Sequence, residues 1–226
     1  CGLPAAELKK ASTYCLSFLK KAHGCVKEYG GMTIYAGGDD MFFLAPVHTY
    51  HESTKKTETI FDLIDRIDNS FESEFIDKYK TGGVSNLTLS YSAGIYYKKF
   101  PLYEAVKGSY PLLDEAKAQK GKNSIALYLR LESGNVIKLL IKKSSGFFAK
   151  YKDMVAHYAS APENILNSVV SKLSVFNSLY RIALENGFDQ LVNVFCNINN
   201  ELPEESKKKE YSLQIPQLMI AYKEQH

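Results

Sequence analysis

The sequence predicts an α+β domain, with helices packed on a sheet, followed by a small all-helical domain. Over residues 1–143, apolar strand-like runs alternate with amphipathic helical segments, which is typical of that architecture. After Lys143 only helical periodicity remains. A Gly-Gly-Asp-Asp stretch at residues 37–40 separates two apolar runs and predicts a β-hairpin. We therefore expect one domain over residues 1–143 and a second over residues 144–226.

The composition of the 226 residues is that of an ordinary globular protein, with 45% hydrophobic and 23% charged residues. No apolar run approaches the ~18 residues of a membrane span, and no secretory signal is visible. Four cysteines without a Cys-x-x-Cys pair predict buried thiols rather than disulfides or zinc ligands, which fits a cytoplasmic protein. Because the chain opens at Cys1 directly into helical sequence, we expect it to be a fragment or a processed product.

The net charge of +3 is too small to indicate nucleic-acid binding by itself. Its distribution is more informative. Residues 161–226 carry 6 Lys and Arg against 8 Asp and Glu, whereas residues 1–160 carry 22 against 17. The basic excess therefore lies in the part of the chain that contains the Gly-Gly-Asp-Asp stretch.

The predicted hairpin places two adjacent carboxylates, Asp39 and Asp40, at its tip. Glycine at Gly37 and Gly38 supplies the backbone freedom of a tight turn and allows a phosphate to approach the backbone closely. Hard divalent cations such as Mg²⁺ or Mn²⁺ are the usual partners of paired carboxylates and substrate phosphates. Both flanking runs have the composition of buried strands, which predicts that the acids lie at the lip of a core. The tetrapeptide alone is equally typical of an ordinary turn.

Periodicity and turn residues predict the remaining elements. The segment 48–57 is polar and predicts a loop, in which His48 and His51 are surface residues rather than metal ligands. A solvated linker is expected at 202–209, and Pro216 should start or kink the last helix. Strands are expected at 87–97, 124–131 and 136–141, and helices at 5–29, 58–80 (closed by Gly82-Gly83), 101–119, 145–159, 163–186, 188–199 and 208–224.

The predicted strand over residues 87–97 has one apolar face and one face of small residues. Ser90 and Ser92 lie on the small face. Small polar side chains leave room for a ligand, and they equally allow close packing of a helix.

Three motifs, taken in order, resemble a known family. They are Tyr35-Ala-Gly-Gly-Asp-Asp40, Leu89-Ser-Tyr-Ser-Ala-Gly-Ile95 and Ala116-Lys-x-x-x-Gly-Lys-Asn123. The chain is similar over its whole length to the C-terminal palm and helical domain of the large subunit of type III CRISPR effector complexes. That family is a polymerase/cyclase-like relative of diguanylate cyclases. The resemblance implies a ferredoxin-like, cyclase-type palm with an antiparallel-rich sheet.

The resemblance also implies an activity. Two ATP molecules would be joined into cyclic oligoadenylate with Mg²⁺ or Mn²⁺ when the complex holds target RNA. Partners would be the other subunits of the ribonucleoprotein, with crRNA and target RNA reached indirectly, and no membrane. Asp39 and Asp40 would be catalytic and bind the metals, and the nucleotide would contact Gly37, Gly38, Ser90, Ser92, Lys117 and Lys122. The two lysines are also explained as cations that oppose the dipole at a helix end.

One departure from the family keeps another function open. Palms of this kind usually take a further metal-binding carboxylate from a strand before the first helix, and the sequence has no such strand. We expect that strand to lie upstream, to come from another chain or to be missing, leaving a gap and an exposed edge beside the hairpin and weak or no catalysis by this chain alone. The alternative is a structural subunit that binds ATP poorly and scaffolds the complex. A third candidate, a diguanylate cyclase-like enzyme using GTP, is disfavoured by the helical C-terminal part and by Met41, which stands where diguanylate cyclases usually carry phenylalanine.

Overall fold

The structure is a computed structural model that describes residues 5–77, 87–158, 163–200 and 205–225. Contacts divide the chain into two compact units, residues 1–140 and 141–226. The predicted fold class is confirmed, because the first unit combines small sheets with packed helices and the second is helical after its first residues. That the two units are separate domains, with a boundary after residue 143, stays a prediction.

The first unit follows the predicted order of helix, hairpin, helix, strand, helix and hairpin, with one additional hairpin. Its helices and strands are α1 (Ala5–Glu28), β1 (Met32–Gly37), β2 (Asp40–Leu44), β3 (His48–His51), β4 (Lys56–Thr59), α2 (Ile60–Phe71) with a π-helical turn (Glu72–Ile76), β5 (Tyr91–Tyr96), α3 (Leu102–Ala118), β6 (Ser124–Arg130) and β7 (Val136–Lys142).

The strands form three separate sheets. Strands β1 and β2 pair antiparallel, as do β3 and β4. Strands β5, β6 and β7 form the third sheet, in which β5 and β6 run parallel and are connected through α3. A parallel pair requires such a crossover, which explains why α3 packs on both strands. In the described part of the chain, β2 pairs only with β1, so its other edge has no strand beside it.

A core between α1 and α2 supports both the hairpin and β5. Residues at three- and four-residue steps of α1 bury one face of that helix, and Leu63 and Ile67 of α2 meet it. Met41 and Phe43 of β2, and Tyr91 of β5, pack against the same core. The buried α1 residues and the residue that follows the helix are Phe18, Leu19, Ala22, Val26 and Tyr29. The two sheets are therefore positioned by a shared pair of helices.

Helix α2 begins and ends with distinct polar contacts. At its start, the Thr59 backbone N–H donates to Asp62 Oδ2 at 2.8 Å, and the Thr59 hydroxyl accepts from the Asp62 backbone at 3.4 Å. This capping box satisfies backbone donors at the helix start. At its end, the π-helical turn buries Glu74, which pairs with Lys21 and accepts a 2.7 Å hydrogen bond from Ser17. These α1 contacts compensate for burying a carboxylate.

Several sequence-predicted bounds in the first unit are wrong. The segment 48–57 contains the β3–β4 hairpin rather than a loop, and His51 lies 3.1 Å from Glu58 Oε2. The α-helix predicted over 58–80 ends at Phe71 and continues as the π-helical turn. Residues 78–80 and the predicted Gly82-Gly83 stop lie outside the described residues. Strand β5 begins at Tyr91, four residues later than predicted, because residues 87–90 have no strand partner among the described residues.

The expectation that both runs beside the Gly-Gly-Asp-Asp turn are buried is also wrong. Strand β2 is half-buried against the core, but β1 exposes Met32, Ile34 and Tyr35. The reason is the small sheet. Among the described residues, β1 pairs with β2 and contacts α1, and these contacts leave Met32, Ile34 and Tyr35 exposed. The acids therefore lie on an exposed hairpin and not at the lip of a core.

The second unit is a group of helices with its own core. Its helices are α4 (Gly146–Tyr158), α5 (Glu163–Val175), α6 (Asn177–Asn186), α7 (Phe188–Ile198) and α8 (Glu205–Gln225). The core lies among the last four of these helices and consists of Val169, Tyr180, Ala183, Leu191, Phe195, Tyr211 and Ile215.

Three predictions in the second unit need correction. The helix predicted over 163–186 is two helices, because the chain leaves helical geometry at Phe176 (φ −99°, ψ 24°). Helix α8 begins at Glu205, inside the stretch expected to be a linker. Pro216 lies within α8 and does not start it, and the other expectation, a kink at Pro216, stays a prediction. None of the helices in the described residues has the length and apolar character needed to cross a membrane.

Alkaline pH should destabilise the first unit through Tyr29. Burial raises the pKa of this phenol to about 12, and its hydroxyl donates to the Val47 carbonyl at 3.1 Å. An unfolded tyrosine ionises near pH 10, so stability from Tyr29 is complete below pH 10 and is lost as the pH rises towards 12. We expect a loss of roughly 2–3 kcal/mol over that range. Urea titrations between pH 9 and 12 measure it.

The matched variant Tyr29→Phe removes the ionising group and keeps the ring. It should be less stable at pH 8, because it loses the hydrogen bond, and should show a shallower decline above pH 10. Equal pH slopes for the two proteins would contradict the assignment to Tyr29.

Candidate functional site

The Gly-Gly-Asp-Asp stretch forms a two-residue hairpin turn. Gly37 pairs with Asp40 across the strands, leaving Gly38 and Asp39 as the turn. Gly38 has φ +64°, a conformation that side chains other than glycine disfavour. A Cβ added at Gly38 would meet no atom within 4 Å. Glycine is therefore required here for its backbone angle, and the space above the turn is open to a ligand.

The strand that enters the turn is irregular. The register shifts between Thr33 and Tyr35, so Ile34 is an extra residue in a β-bulge. After the bulge, the Tyr35 side chain lies over Gly37, where an added Cβ would come within 2.9 Å of the Tyr35 hydroxyl oxygen. The absence of a side chain at Gly37 thus allows an exposed aromatic ring to lie beside the turn.

The two carboxylates lie on the surface. Asp40 is 59% exposed, and its Oδ1 lies 3.5 Å from Nζ of Lys117, which is 43% exposed. Asp39 is exposed at the tip of the turn. An ion pair this exposed contributes little to stability, at most about 1 kcal/mol. Lys117 therefore places a positive charge beside Asp40, and the fold does not depend on this ion pair.

Helix α1 contacts the turn through Cys15. Its Sγ donates to the Gly38 carbonyl at 2.6 Å. Burial raises the pKa of the Cys15 thiol, and the nearby negative charge of Asp39 raises it further. The thiol is therefore held protonated, as a donor that anchors the turn to the helix.

Ser90, Ser92 and Lys122 are placed by the β5–β6 side of the unit. The Ser90 hydroxyl accepts from the Ser124 backbone at 3.5 Å, which joins the start of β6 to the segment before β5. Ser92 lies within β5 opposite Ala126. Lys122 has φ +51°, and its backbone N–H donates to Gln119 at 2.7 Å in the loop after α3.

Of the predicted site residues, Lys117 and Asp40 thus form an ion pair in the structure. Both serines are positioned by backbone contacts with β6. The lysine loop and the serines lie at the same end of the β5–β6 pair as Lys117, because α3 leads through that loop into the start of β6. The assignment of nucleotide roles to these residues stays a prediction.

The two carboxylates at the turn could act as ligands to a cation that is also bound by a substrate. The described residues contain no group of three or more His, Cys, Asp or Glu side chains arranged to hold a metal. A structural metal cage is therefore absent from that part of the chain. Mg²⁺ commonly uses one or two carboxylates together with waters and substrate phosphates, and two exposed acids beside an open turn meet that requirement.

Sequence reasoning missed two contributors to the turn. The Cys15 contact spans 23 residues and depends on how α1 packs against the hairpin, which no local pattern reveals. The bulge at Ile34 shifts the pairing of β1 with β2, and neither Ile34 nor its two neighbours is a glycine that would indicate a bulge in the sequence. A bulge beside a turn re-aims the side chains that follow it, here Tyr35.

A sequence model of the family described as Cas10/Cmr2, second palm domain, matches residues 4–126. This range covers more than half of the 226 residues and includes α1, the hairpin, α2, β5 and α3. The chain belongs to the Cas10/Cmr2 family. A search of curated protein sequences found no match. The match identifies the first unit as a palm domain of the large subunit of a type III CRISPR effector complex, which confirms the resemblance inferred from the three motifs.

Proposed function

We propose that this palm domain contributes a metal–triphosphate site to the joining of ATP into cyclic oligoadenylate. The observation that carries the proposal is the geometry of the turn. Two adjacent exposed carboxylates lie beside a glycine with open space above it, and a lysine ammonium lies 3.5 Å from one of them. Membership of the Cas10/Cmr2 palm family supports this assignment.

Asp39 and Asp40 are proposed to hold two divalent cations, Mg²⁺ or Mn²⁺. When bound, such ions neutralise phosphate charge and orient the reacting oxygens. The open turn at Gly37 and Gly38 allows the triphosphate to lie against the backbone. The space where a Gly38 side chain would lie is open, so a phosphate can approach the turn from that side.

The proposed reaction is a nucleotidyl transfer. A ribose 3′-hydroxyl attacks the α-phosphorus of ATP, an O–P bond forms, the bond to the β-phosphate oxygen breaks, and pyrophosphate leaves. The hydroxyl proton passes to solvent or to a carboxylate. The residues of this chain act mainly by positioning and by charge, since phosphoryl-type transfers depend on in-line placement and neutralisation.

Lys117 is proposed to stabilise the charge that accumulates on the phosphates. Its ammonium is half-exposed and is paired with Asp40 through a contact that costs little to rearrange. Lys122 would supply a second cation from the loop after α3, and Ser90 and Ser92 would contact the nucleotide. Target RNA, held by partner subunits of the effector complex, is proposed to control the reaction.

A second candidate is a palm that binds ATP weakly and serves to assemble the complex. The observation that favours it is the small donor set, because the described residues offer no third carboxylate beside Asp39 and Asp40. Under this reading the helical unit docks partner subunits and the turn has no catalytic role.

Titrating the chain with ATP and GTP in the presence of Mn²⁺ distinguishes these candidates. We expect calorimetry to detect ATP binding, with GTP at least several-fold weaker, and to lose the signal when EDTA removes the cation. GTP preference would contradict the oligoadenylate proposal and favour a diguanylate cyclase-like enzyme. The absence of binding by either nucleotide would favour the assembly role.

A further inference from the structure

A cavity of about 260 Å³ lies in the first unit, away from the carboxylate turn. Strands β5 and β6 run parallel and end at Tyr96 and Arg130, which lie opposite each other and line the cavity. Lys117, which contacts Asp40, instead lies near the start of β6. The lining reaches along α3 as far as Glu115, two residues before Lys117, but it includes neither Lys117 nor any residue of the turn. The cavity is thus distinct from the turn.

One wall of the cavity is an ordered stack of planar groups. The rings of Tyr96 and Phe100 are stacked, with centroids 4.7 Å apart and an interplanar angle of 15°. The guanidinium carbon of Arg130 lies 4.9 Å from the centroid of Phe100. Tyr128 lies beside Tyr96 at 5.7 Å. Arg130 therefore adds a guanidinium group to this wall, and guanidinium groups can stack on aromatic rings.

The backbone around Tyr96 holds this stack in place. A Cβ added at Gly94 would come within 2.6 Å of the Tyr96 ring, so the ring lies against a position that only glycine allows. The Tyr96 hydroxyl donates to the Ala105 carbonyl of α3 at 3.4 Å, and Gly108 lies next to the same hydroxyl. The planar wall is therefore formed before any ligand binds, which reduces the entropy lost on binding.

The positive and negative side chains that line the cavity are equal in number. Arg130 and Lys138 carry two positive charges, and Glu104 and Glu115 carry two negative charges. Lys138 and Glu115 form an ion pair across the lining. A polyphosphate would gain little from a lining with no net charge, whereas a neutral planar ligand avoids charge repulsion. The carboxylates accept hydrogen bonds, so they fit a ligand that presents amino donors at its edge.

The size of the cavity sets the scale of the ligand. Sites for whole drug-sized molecules occupy about 300–1,000 Å³. The volume here lies just below that range, which suits a single fused ring with part of a sugar and not a complete dinucleotide.

We propose that this cavity is a second site, which binds a nucleobase carrying an exocyclic amino group, such as adenine. The base stacks on the outer face of the Arg130 guanidinium, which Phe100 orients from the other side. The amino group donates to one carboxylate of the lining, Glu104 or Glu115, because eleven residues of α3 separate these two by about 16 Å along the helix. Binding at this site requires neither a divalent cation nor Asp39 and Asp40.

Adenosine, which has no phosphate, is the probe that separates this site from the turn. We expect ¹H–¹⁵N NMR of the full chain, in EDTA, to show adenosine binding with shifts at β5, β6 and α3. Arg130→Ala should weaken the affinity about tenfold or more, since stacking contributes about 1–3 kcal/mol per base. Arg130→Lys keeps the positive charge but loses the planar guanidinium group, and should weaken the affinity for adenosine by a similar factor. Asp39→Asn/Asp40→Asn should bind adenosine as the wild type does.

Inosine tests the role of the amino group, because it keeps a purine ring and replaces that group with a carbonyl. We expect it to bind several-fold more weakly than adenosine. Equal affinity of Arg130→Ala and wild type for adenosine, equal affinity for inosine and adenosine, or no binding at millimolar adenosine would overturn the proposal. Shifts confined to residues 37–40 would overturn it as well.

Two sources of the base are distinguished by comparing AMP with a ten-nucleotide oligoadenylate RNA. Tighter binding of the RNA, lost in Arg130→Ala, identifies the ligand as a base of a single strand. Equal or tighter binding of AMP identifies a free nucleotide. Failure of the Mn²⁺-dependent ATP experiment leaves this result unaffected, because the adenosine measurement contains no metal and no phosphate.

Discussion

Replacing both Asp39 and Asp40 with asparagine is expected to abolish Mn²⁺-dependent ATP binding, lowering the affinity at least about 100-fold. Asparagine keeps the size of the side chain but removes the charge that holds a hard cation. Loss of outer-shell partners alone typically costs 10–100-fold in metal affinity, so loss of both proposed ligands should cost at least as much. Calorimetry with ATP, with and without Mn²⁺, measures the effect.

The fold should survive this change, because both carboxylates are exposed and the ion pair of Asp40 is with a half-exposed lysine. A matched control is Asp153→Asn/Asp189→Asn, which removes two exposed acids from the helical unit. It should bind Mn²⁺ and ATP as the wild type does. If both double variants bind alike, the turn does not hold the metal, and the assembly role becomes the better explanation.

The hairpin was predictable because its determinants are local. Two apolar runs separated by glycine and aspartate specify a tight turn, and Gly38 has the positive φ that such a turn requires. The connection from β5 through α3 to β6 was predictable for a similar reason. Pro101 precedes the first residue of α3, and the alternating leucines of β6 follow a turn at Gly121, which has φ +74°.

Elements that depend on distant contacts were not predictable. The β3–β4 hairpin is polar, and the Thr49 hydroxyl in it donates to the Tyr29 carbonyl at 2.6 Å, 20 residues away. The π-helical turn is stabilised by α1 through Glu74. The exposure of β1 was not predictable either. An apolar strand is buried only where other elements cover it, and β1 belongs to a sheet of two strands.

The candidate site also contains residues that the sequence could predict and contacts that it could not. Asp39 and Asp40 stand out in the sequence because adjacent acids at a glycine turn are a local signal. The approach of Lys117 to Asp40 joins residues 77 positions apart, and its position depends on how α3 packs on the sheet. The stack at Arg130 gives no sequence signal at all, because its planar groups come from β5, the loop before α3 and β6.

Replacing Phe195 with alanine should unfold the helical unit selectively. Phe195 is fully buried in the core of that unit, next to the Tyr180 ring at 6.4 Å. Truncating a buried phenylalanine typically costs 3–5 kcal/mol, a large part of the about 5–15 kcal/mol that stabilises a domain. We expect hydrogen exchange, followed by mass spectrometry, to accelerate in α5–α8 and to stay unchanged in α1, α2 and β6.

This result follows only if the two units unfold independently, which we predict because each has a core of its own. Leu63→Ala provides the converse test, because Leu63 is fully buried between α1 and α2 and should accelerate exchange in the palm unit alone. Asn193→Ala, an exposed change on the same helix as Phe195, should leave both units protected. Loss of protection in both units from either core variant would mean that residues 1–140 and 141–226 fold as one cooperative domain.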